Sequence, residues 1–430
     1  MYNRLTKIVC VITIISLVGL SKLKAQNNND TIRMSLKDVE KRFLDSNLLL
    51  LASHYNVDAN KALIEQAKLW DNPVLVTDQN IYSNNRFFEH GKDANTEQPL
   101  GQYFIQIQQL IKTAGKRGKL INLSTTNAKL AEWQLSDVLR NLKYQLRQSY
   151  YNLCQELEVK KLSESQLVQM NKLLFAQEAQ LKAGNIAEKD FLRIKAIVLA
   201  LEQDITDINK NLIDINADLK NLLQLKANIF IKPIDNLQKE IGNLASIKEL
   251  IDTAFQVNPY YQLQKTQVQY QQQNLIYQKT LRTPDITIGT EYDHNSNYTP
   301  KYVGLSISIP LPIFNKNQGN IKSASFAVKQ QQALTQNSET ELYNNVLNAF
   351  DKLKLTIQQC NALQKEFYSK YKNMFQNMLL SYQQKQLNLL EFLDFYNAYS
   401  DAQQRQIQQQ LNLQLAKEEL NYQIGSDIIK

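Results

Sequence analysis

Apolar side chains recur at spacings of three and four through the middle of the chain. Leu135, Leu139, Leu142, Leu146, Tyr150, Leu153 and Leu157 form one narrow stripe, and Arg140, Lys143, Gln145, Arg147 and Gln148 fill positions between them. This is the rhythm of a helix that buries a thin seam. Residues 119–183, 185–232 and 320–424 contain neither Gly nor Pro, so nothing interrupts that rhythm. A helix over about 114–183 would be on the order of 100 Å long at ~1.5 Å per residue. That exceeds any ordinary globular core, and the polar flanks exclude a membrane span. Such helices must pack side by side in water.

Two segments that hold most of the Gly and Pro follow a period of two instead. In 285–292, Ile286, Ile288 and Tyr292 share one face, and Thr287, Gly289 and Glu291 the other. In 302–309, Val303, Leu305, Ile307 and Ile309 oppose Gly304, Ser306 and Ser308. In 101–109, Tyr103, Ile105 and Ile107 oppose Gln106 and Gln108, while 74–82 alternates less regularly. Strands of about 9–11 residues, apolar outside and polar inside, suit an outer-membrane barrel with a wet lumen. Tyr82, Tyr103, Tyr292 and Tyr302 fall near strand ends, where an aromatic girdle would lie.

The pattern occurs twice. Residues 183–225 align without gaps on 384–426, so that Asp190-Phe191-Leu192 meets Glu391-Phe392-Leu393, and Leu212 and Leu219 meet Leu413 and Leu420. Each half reads as helix, β-hairpin, long helix, turn, long helix. The division is 26–240 and 241–430, with hairpins at 74–109 and 285–309. The expected fold is mainly α with a small β part: long antiparallel helices forming an α-barrel, plus four strands per chain. Four strands cannot close a barrel, and unpaired backbone cannot remain in lipid. Eight strands from two chains would be filled by their own side chains, whereas twelve from three leave a lumen. The expected assembly is a homotrimer around a twelve-stranded transmembrane barrel.

Composition adds an address. Arg4 and Lys7 precede an uncharged apolar run from Ile8 to Leu20, and Leu23-Lys24-Ala25 offers a cleavage site. At 13 residues the run is short of the roughly 20 that span a bilayer, so 1–25 reads as a secretory signal peptide. Without it, 45 basic and 41 acidic side chains remain, too balanced for nucleic-acid binding. Cys10 lies inside the apolar run. Cys154 and Cys360 lie in helical surroundings and read as buried free thiols, with pairing as the alternative.

With the repeat and the turns in view, the chain resembles the TolC family of outer-membrane factors over essentially its whole mature length. Ala183-Gly184-Asn185-Ile186-Ala187-Glu188-Lys189-Asp190-Phe191-Leu192 is similar to that family's turn between long helices. Two hairpin exits resemble the heavy-metal, CzcC-like branch: Gly115-Lys116-Arg117, and Pro310-Leu311-Pro312-Ile313-Phe314-Asn315-Lys316-Asn317-Gln318-Gly319. Asn72-Pro73 and Asn258-Pro259 are familiar there too. The resemblance implies a passive duct in the outer membrane with a periplasmic tunnel. It would work with a periplasmic adaptor (a membrane fusion protein) and an inner-membrane RND pump. It also implies an iris at the periplasmic end, with Asp190, Tyr382, Glu391 and Asp394 at gate positions. Leu387 stands where the family has a gate arginine.

Read on their own, Glu391 and Asp394 share a helix face and could line an acidic ring; equally, they could be the acids that favour a helix N-terminus. No enzyme motif, cofactor fingerprint or metal-ligand spacing is present. His54, His90 and His294 lie far apart, the last two expected in loops, and Gly115 to Gly118 lacks the spacing of a phosphate loop. The cargo expected is heavy-metal cations, with drugs, small molecules or a type I secretion substrate as the alternative. A periplasmic coiled-coil scaffold is the rival of another class.

Overall fold

The computed structural model describes residues 30–429 apart from 84, 90, 227, 238–241, 243, 297–298 and 363–364. The expected signal peptide and His90 lie outside the described residues. Strand β1 (Asp30–Met34) leads into α1 (Leu36–Ser46) and α2 (Leu48–Lys68). The first hairpin is β2 (Val74–Gln79) and β3 (Tyr103–Ile111), followed by α3 (Lys116–Lys182), α4 (Glu188–Leu222) and β4 (Ile229–Pro233). Then come α5 (Ile247–Val257), α6 (Pro259–Thr280) and the second hairpin, β5 (Ile286–Asn295) and β6 (Pro300–Ser308). The chain ends with α7 (Gln318–Ala362), α8 (Lys365–Gln383) and α9 (Leu389–Ile424). The fold is mainly α, as expected, and none of the described helices is long and apolar enough to cross a membrane.

Helix α3 runs 67 residues without a break, close to the span its stripe predicts. Leu146, Tyr150 and Leu153 are fully buried, and Leu139, Leu142 and Leu157 pack against them; Leu135 is half-buried beside this cluster. Burying each of the large side chains contributes about 1.5–3 kcal/mol. The cluster also takes in Phe43 and Leu50 from the bent α1–α2 pair and Leu212 and Leu219 from α4. A second core joins α5, α7 and the end of α9 through Leu250, Ala254, Val346, Leu353 and Leu420.

The same hydrogen bonds recur 201 positions apart. At the first turn between long helices, Gly184 N donates to Leu181 O and Asn185 N to Gln180 O; at the second, Lys385 N donates to Tyr382 O and Gln386 N to Ser381 O. The residue that reverses the chain is left-handed in both, Gly184 at φ 74° and Lys385 at φ 60°. Each of the bent pairs α1–α2 and α5–α6 turns on a buried asparagine. Asn47 Nδ2 donates to Leu222 O at 2.9 Å, and Asn258 Nδ2 to Gln423 O at 2.8 Å. Both oxygens cap the helix that follows. The structural counterpart of Asn258 is therefore Asn47.

The parallel pair β1–β4, in register from Asp30 with Ile229 to Met34 with Pro233, is not foreseen by the alternation of the chain. It is held at its exit. The Tyr150 hydroxyl lies 2.9 Å from Asp235 Oδ2 and 3.0 Å from Met34 O, and the same carboxylate oxygen accepts from Leu36 N at 2.7 Å.

After α9 the chain folds back as a strap. Gly425 takes φ 89°, and a Cβ there would lie 2.8 Å from Asn258 Cα, so the close passage requires glycine. Asn421 grips both backbone groups of Ile429 at 2.8 Å. Asp427 meets Arg147, which also binds Glu40 and Glu418 at 2.6 Å each. Burial alone would raise the Asp427 carboxyl, but hydrogen bonds and charge from Arg147 and Lys143 outweigh it and hold it below the usual carboxylate range. A depressed folded pKa means the stabilisation is present above the unfolded value of ~3.9 and is lost as pH falls through the lower folded one. The protection factor of the Ile429 amide is therefore expected to hold at neutral pH and fall below about pH 4, with Asp427→Asn lowering it at pH 7. Equal protection in variant and wild type at pH 7 would mean the carboxylate contributes nothing.

Candidate channel wall, joint and tip

The two hairpins join into one antiparallel sheet in the order β6-β5-β3-β2. Registers such as Gln106 with Glu291 and Gly304 with Glu291 sort the side chains onto two faces. Ile105, Ile107, Ile288, Val303, Leu305 and Ile307 share one face and are exposed. Gln106, Gln108, Gly289, Glu291, Gly304 and Ser306 share the other. There Gln106, only 7% exposed, donates to Glu291 Oε2 at 2.8 Å and Ser306 Oγ at 2.9 Å, and Gln108 donates to Gln106. A Cβ on Gly289 would fall 2.6 Å from Ser306 Oγ, so glycine makes room for this network.

Strand limits differ from the alternation by a few residues. β2 stops at Gln79, and Tyr82 opens a separate short ladder in which its ring lies tilted against Phe87 at 4.8 Å. Strand β5 runs on to Asn295, so His294 lies in a strand and not in a loop; its ring stacks on Tyr103 at 4.8 Å. Tyr103 and Tyr292 meet on the apolar face at 5.8 Å. Tyr302 is a correction to the expected girdle. It pairs with Asp293 and lies over Gly304, on the polar face.

Where the sheet meets the helices, the hairpin-exit residues act as a joint. Gly115, at φ 67°, starts α3. Lys116 is buried, and its Nζ donates to Asp285 Oδ1 at 2.7 Å and Thr283 O at 2.6 Å, while Asp285 also accepts from Thr113 N. The exit of one hairpin is thus bolted to the entry of the other. Arg117 lies 4.4 Å over the Trp70 ring, and Lys112 pairs with Asp71 at 3.1 Å. In the second exit, Asn317 at φ 59° donates to Gln278 O at 2.8 Å and accepts from Asn320. Gln318 accepts from Lys316 N and donates to Phe314 O. Pro310 and Pro312 bracket an exposed Leu311, and Gly319, with open space where a Cβ would be, sits in the first turn of α7. Sequence reading found these motifs but not Asp285, Asp71 or Trp70. An aspartate just after Pro284 at a helix–strand junction is the local signal that marks Asp285.

At the far end, the turns of α3–α4 and α8–α9 share one core. Met170, Leu173, Ile194 and Val198 from the first pair meet Phe375, Phe392, Tyr396 and Tyr399 from the second. The second pair is aromatic, with Phe375 stacked on Tyr399 at 4.4 Å and Tyr382 on Phe392 at 5.0 Å. Burial raises the Tyr382 phenol, and the charge of Asp190 in the other half adds to it. Glu391 and Asp394 are exposed, and Glu391 N is capped by Asn388 Oδ1 at 2.9 Å. Leu387 packs into the tip core. Neither Cys154, which is buried, nor Cys360, which is half-buried, is in a disulfide.

A sheet with one apolar and one polar face, carried on helices too long for a globular core, fits the wall of a membrane channel. The family model for the outer membrane efflux protein matches residues 40–224 and 250–426, and the chain belongs to that family, a family of transport channels. It is 22% identical over 356 residues to the cobalt-zinc-cadmium resistance protein CzcC of Cupriavidus metallidurans, covering 81% of this chain and 80% of that one. Among solved structures it superposes on CusC with a TM-score of 0.74 and 15% identity, over 95% of this chain and 96% of the other. The outer membrane channel CmeC of Campylobacter jejuni gives 0.75 at 14% identity, over 91% and 86%.

The joint yields a prediction. Lys116→Met leaves Asp285 partly buried without its cation and is expected to cost about 3–5 kcal/mol, read as a fall in thermal unfolding midpoint. The double variant Lys116→Met with Asp285→Asn should recover part of it. A single variant as stable as wild type would show that the bolt is dispensable.

Proposed function

We propose that the chain forms a homotrimeric exit duct in the outer membrane, a twelve-stranded barrel continued by a periplasmic helical tunnel. One observation carries this reading: the sheet has two open edges, β2 and β6, that run in opposite directions. Copies set side by side therefore join β6 to the neighbour's β2 in the same antiparallel sense, and the ring can close without a parallel seam. The recurrence of helix ends and asparagine caps supports reading 26–240 and 241–430 as two repeats, following a signal peptide at 1–25 that directs export. The duct works with a periplasmic adaptor and an inner-membrane RND pump. Recovery of the mature protein in the soluble periplasmic fraction without detergent would favour a scaffold instead and sink the duct.

The tip is the gate in this proposal. Tyr382 and Asp190 link the two halves there. Three copies each of Glu391 and Asp394 face the constriction, where acids attract cations and protonation eases their repulsion. With Leu387 in the tip core, the closed state rests on packing and not on a guanidinium–carboxylate lock. In bilayer-reconstituted trimers, Glu391→Ala with Asp394→Ala is expected to raise conductance or lower cation selectivity; no change in either would remove these residues from the gate.

Heavy-metal cations are the proposed cargo, supported by the likeness to CzcC and by the acidic tip. A deletion strain should lose tolerance to zinc, cobalt or cadmium. Unchanged metal tolerance with new sensitivity to detergents and dyes would move the cargo to drug-like molecules.

A further inference from the structure

The two joints between sheet and helices are built alike but charged differently. At the first, three cations of the hairpin exit have partners: Lys112 on Asp71, Lys116 on Asp285, Arg117 on Trp70. At the second, Lys279, Arg282, Lys316 and Lys322 line one cavity of about 620 Å³ between the end of α6 and the start of α7. No acidic side chain lines it, and among the described residues none of these four cations has an ion pair or ring partner. The first turn of α7 carries no acid either, so its positive helix end adds to the same field.

An apolar stripe leads to this cavity. The outward positions Val303, Leu305 and Ile307 continue past the strand as Ile309, Leu311 and Ile313, all exposed, and end on Phe314 at 91% exposure. Pro310 and Pro312 fix the backbone at two points of the segment, and the Ile313 N–H bonds to Leu311 O at 2.9 Å, closing a tight turn around Pro312. An exposed apolar run of this size beside a basic cavity marks an interaction surface. Its chemistry is amphipathic: hydrocarbon along the strand, then concentrated positive charge within one turn of helix.

We propose that this joint is a site for an anionic phospholipid of the periplasmic leaflet. The phosphate headgroup lies in the cavity of Lys279, Arg282, Lys316 and Lys322, and the acyl chains lie along Leu305 to Phe314. Basic pockets beside membrane-facing segments hold anionic headgroups in this way, and long cationic stems reach along apolar surface to do so. The site rests on the outer-membrane reading above. It would fix the depth of the barrel at its inner rim, where the first joint, with Lys112, Lys116 and Arg117 already engaged, cannot.

The test uses the full-length protein purified from membranes in mild detergent, then placed in nanodiscs of phosphatidylglycerol or phosphatidylethanolamine, with bound lipid read by native mass spectrometry. Wild type is expected to retain phosphatidylglycerol in preference. Because all four cations are exposed, single Lys→Gln changes should fold, and each neutralised cation should weaken retention about five-fold. Phe314→Ser should lower retention of both lipids and leave their ratio unchanged. Equal retention of the two lipids by an intact membrane-embedded oligomer would overturn the site and leave the duct standing. Displacement of bound lipid by inorganic phosphate alone would reduce it to a free-anion site. If Lys316→Gln with Lys322→Gln loses the oligomer before it loses lipid, a neighbouring copy is the true occupant and the proposal fails. A protein that never partitions into membranes would sink the duct reading itself.

Discussion

A backbone amide in hydrocarbon must find another amide, because no water is there to take its place. The sheet of this protein leaves such groups along β2 and β6, and most of the architecture answers to that need. Neighbouring copies can satisfy them, and once they do, each copy's helices are forced to stand beside its neighbours' in a ring. Polar flanks on those helices then make sense, since they line or surround water rather than lipid. The thin seams suffice because each helix needs to hold only its two flanking partners. The network of Gln106, Glu291 and Ser306 completes the arrangement on the polar face, tying three strands through side chains.

Much of this was legible in the residues. The stripe from Leu135 to Leu157 predicted a helix over about 114–183, and the observed ends at Lys116 and Lys182 fall within two residues of it, because Gly118 in the first turn does not break the helix. The faces of β5 and β6 followed from strict alternation. The illegible parts depend on partners distant in sequence. Strand β1 exists only because β4 lies nearly two hundred residues away, and five residues of mixed polarity carry no period of their own. Asn47 has none of the signature that Pro259 lends to Asn258, so the bend between α1 and α2 is set by Leu222 O across the fold. His294 reads as loop because hydrophilic residues surround it, yet pairing with β6 extends the strand and Tyr103 covers its ring.

The candidate site divides the same way. The exit motifs stood out by composition, but what they do depends on Asp285 and Gln278, which belong to the other strand and another helix. Tyr382 ends the helix before the second turn and Asp190 opens the helix after the first, so the repeat alone sets both at the tip. The asymmetry between an aliphatic first tip and an aromatic second tip was present in the residues, but only the shared core shows that each supplies half of one packing surface.

Helix α3 is also a mechanical part. It starts at a buried ion pair under the sheet and ends at the turn that carries Asp190, with no flexible link between. Twisting or bending at one end is therefore delivered to the other as torque along a single rod. A partner that grips the far turns would pull on Lys116 and the strands it anchors, so strain applied at the tip is felt at the sheet.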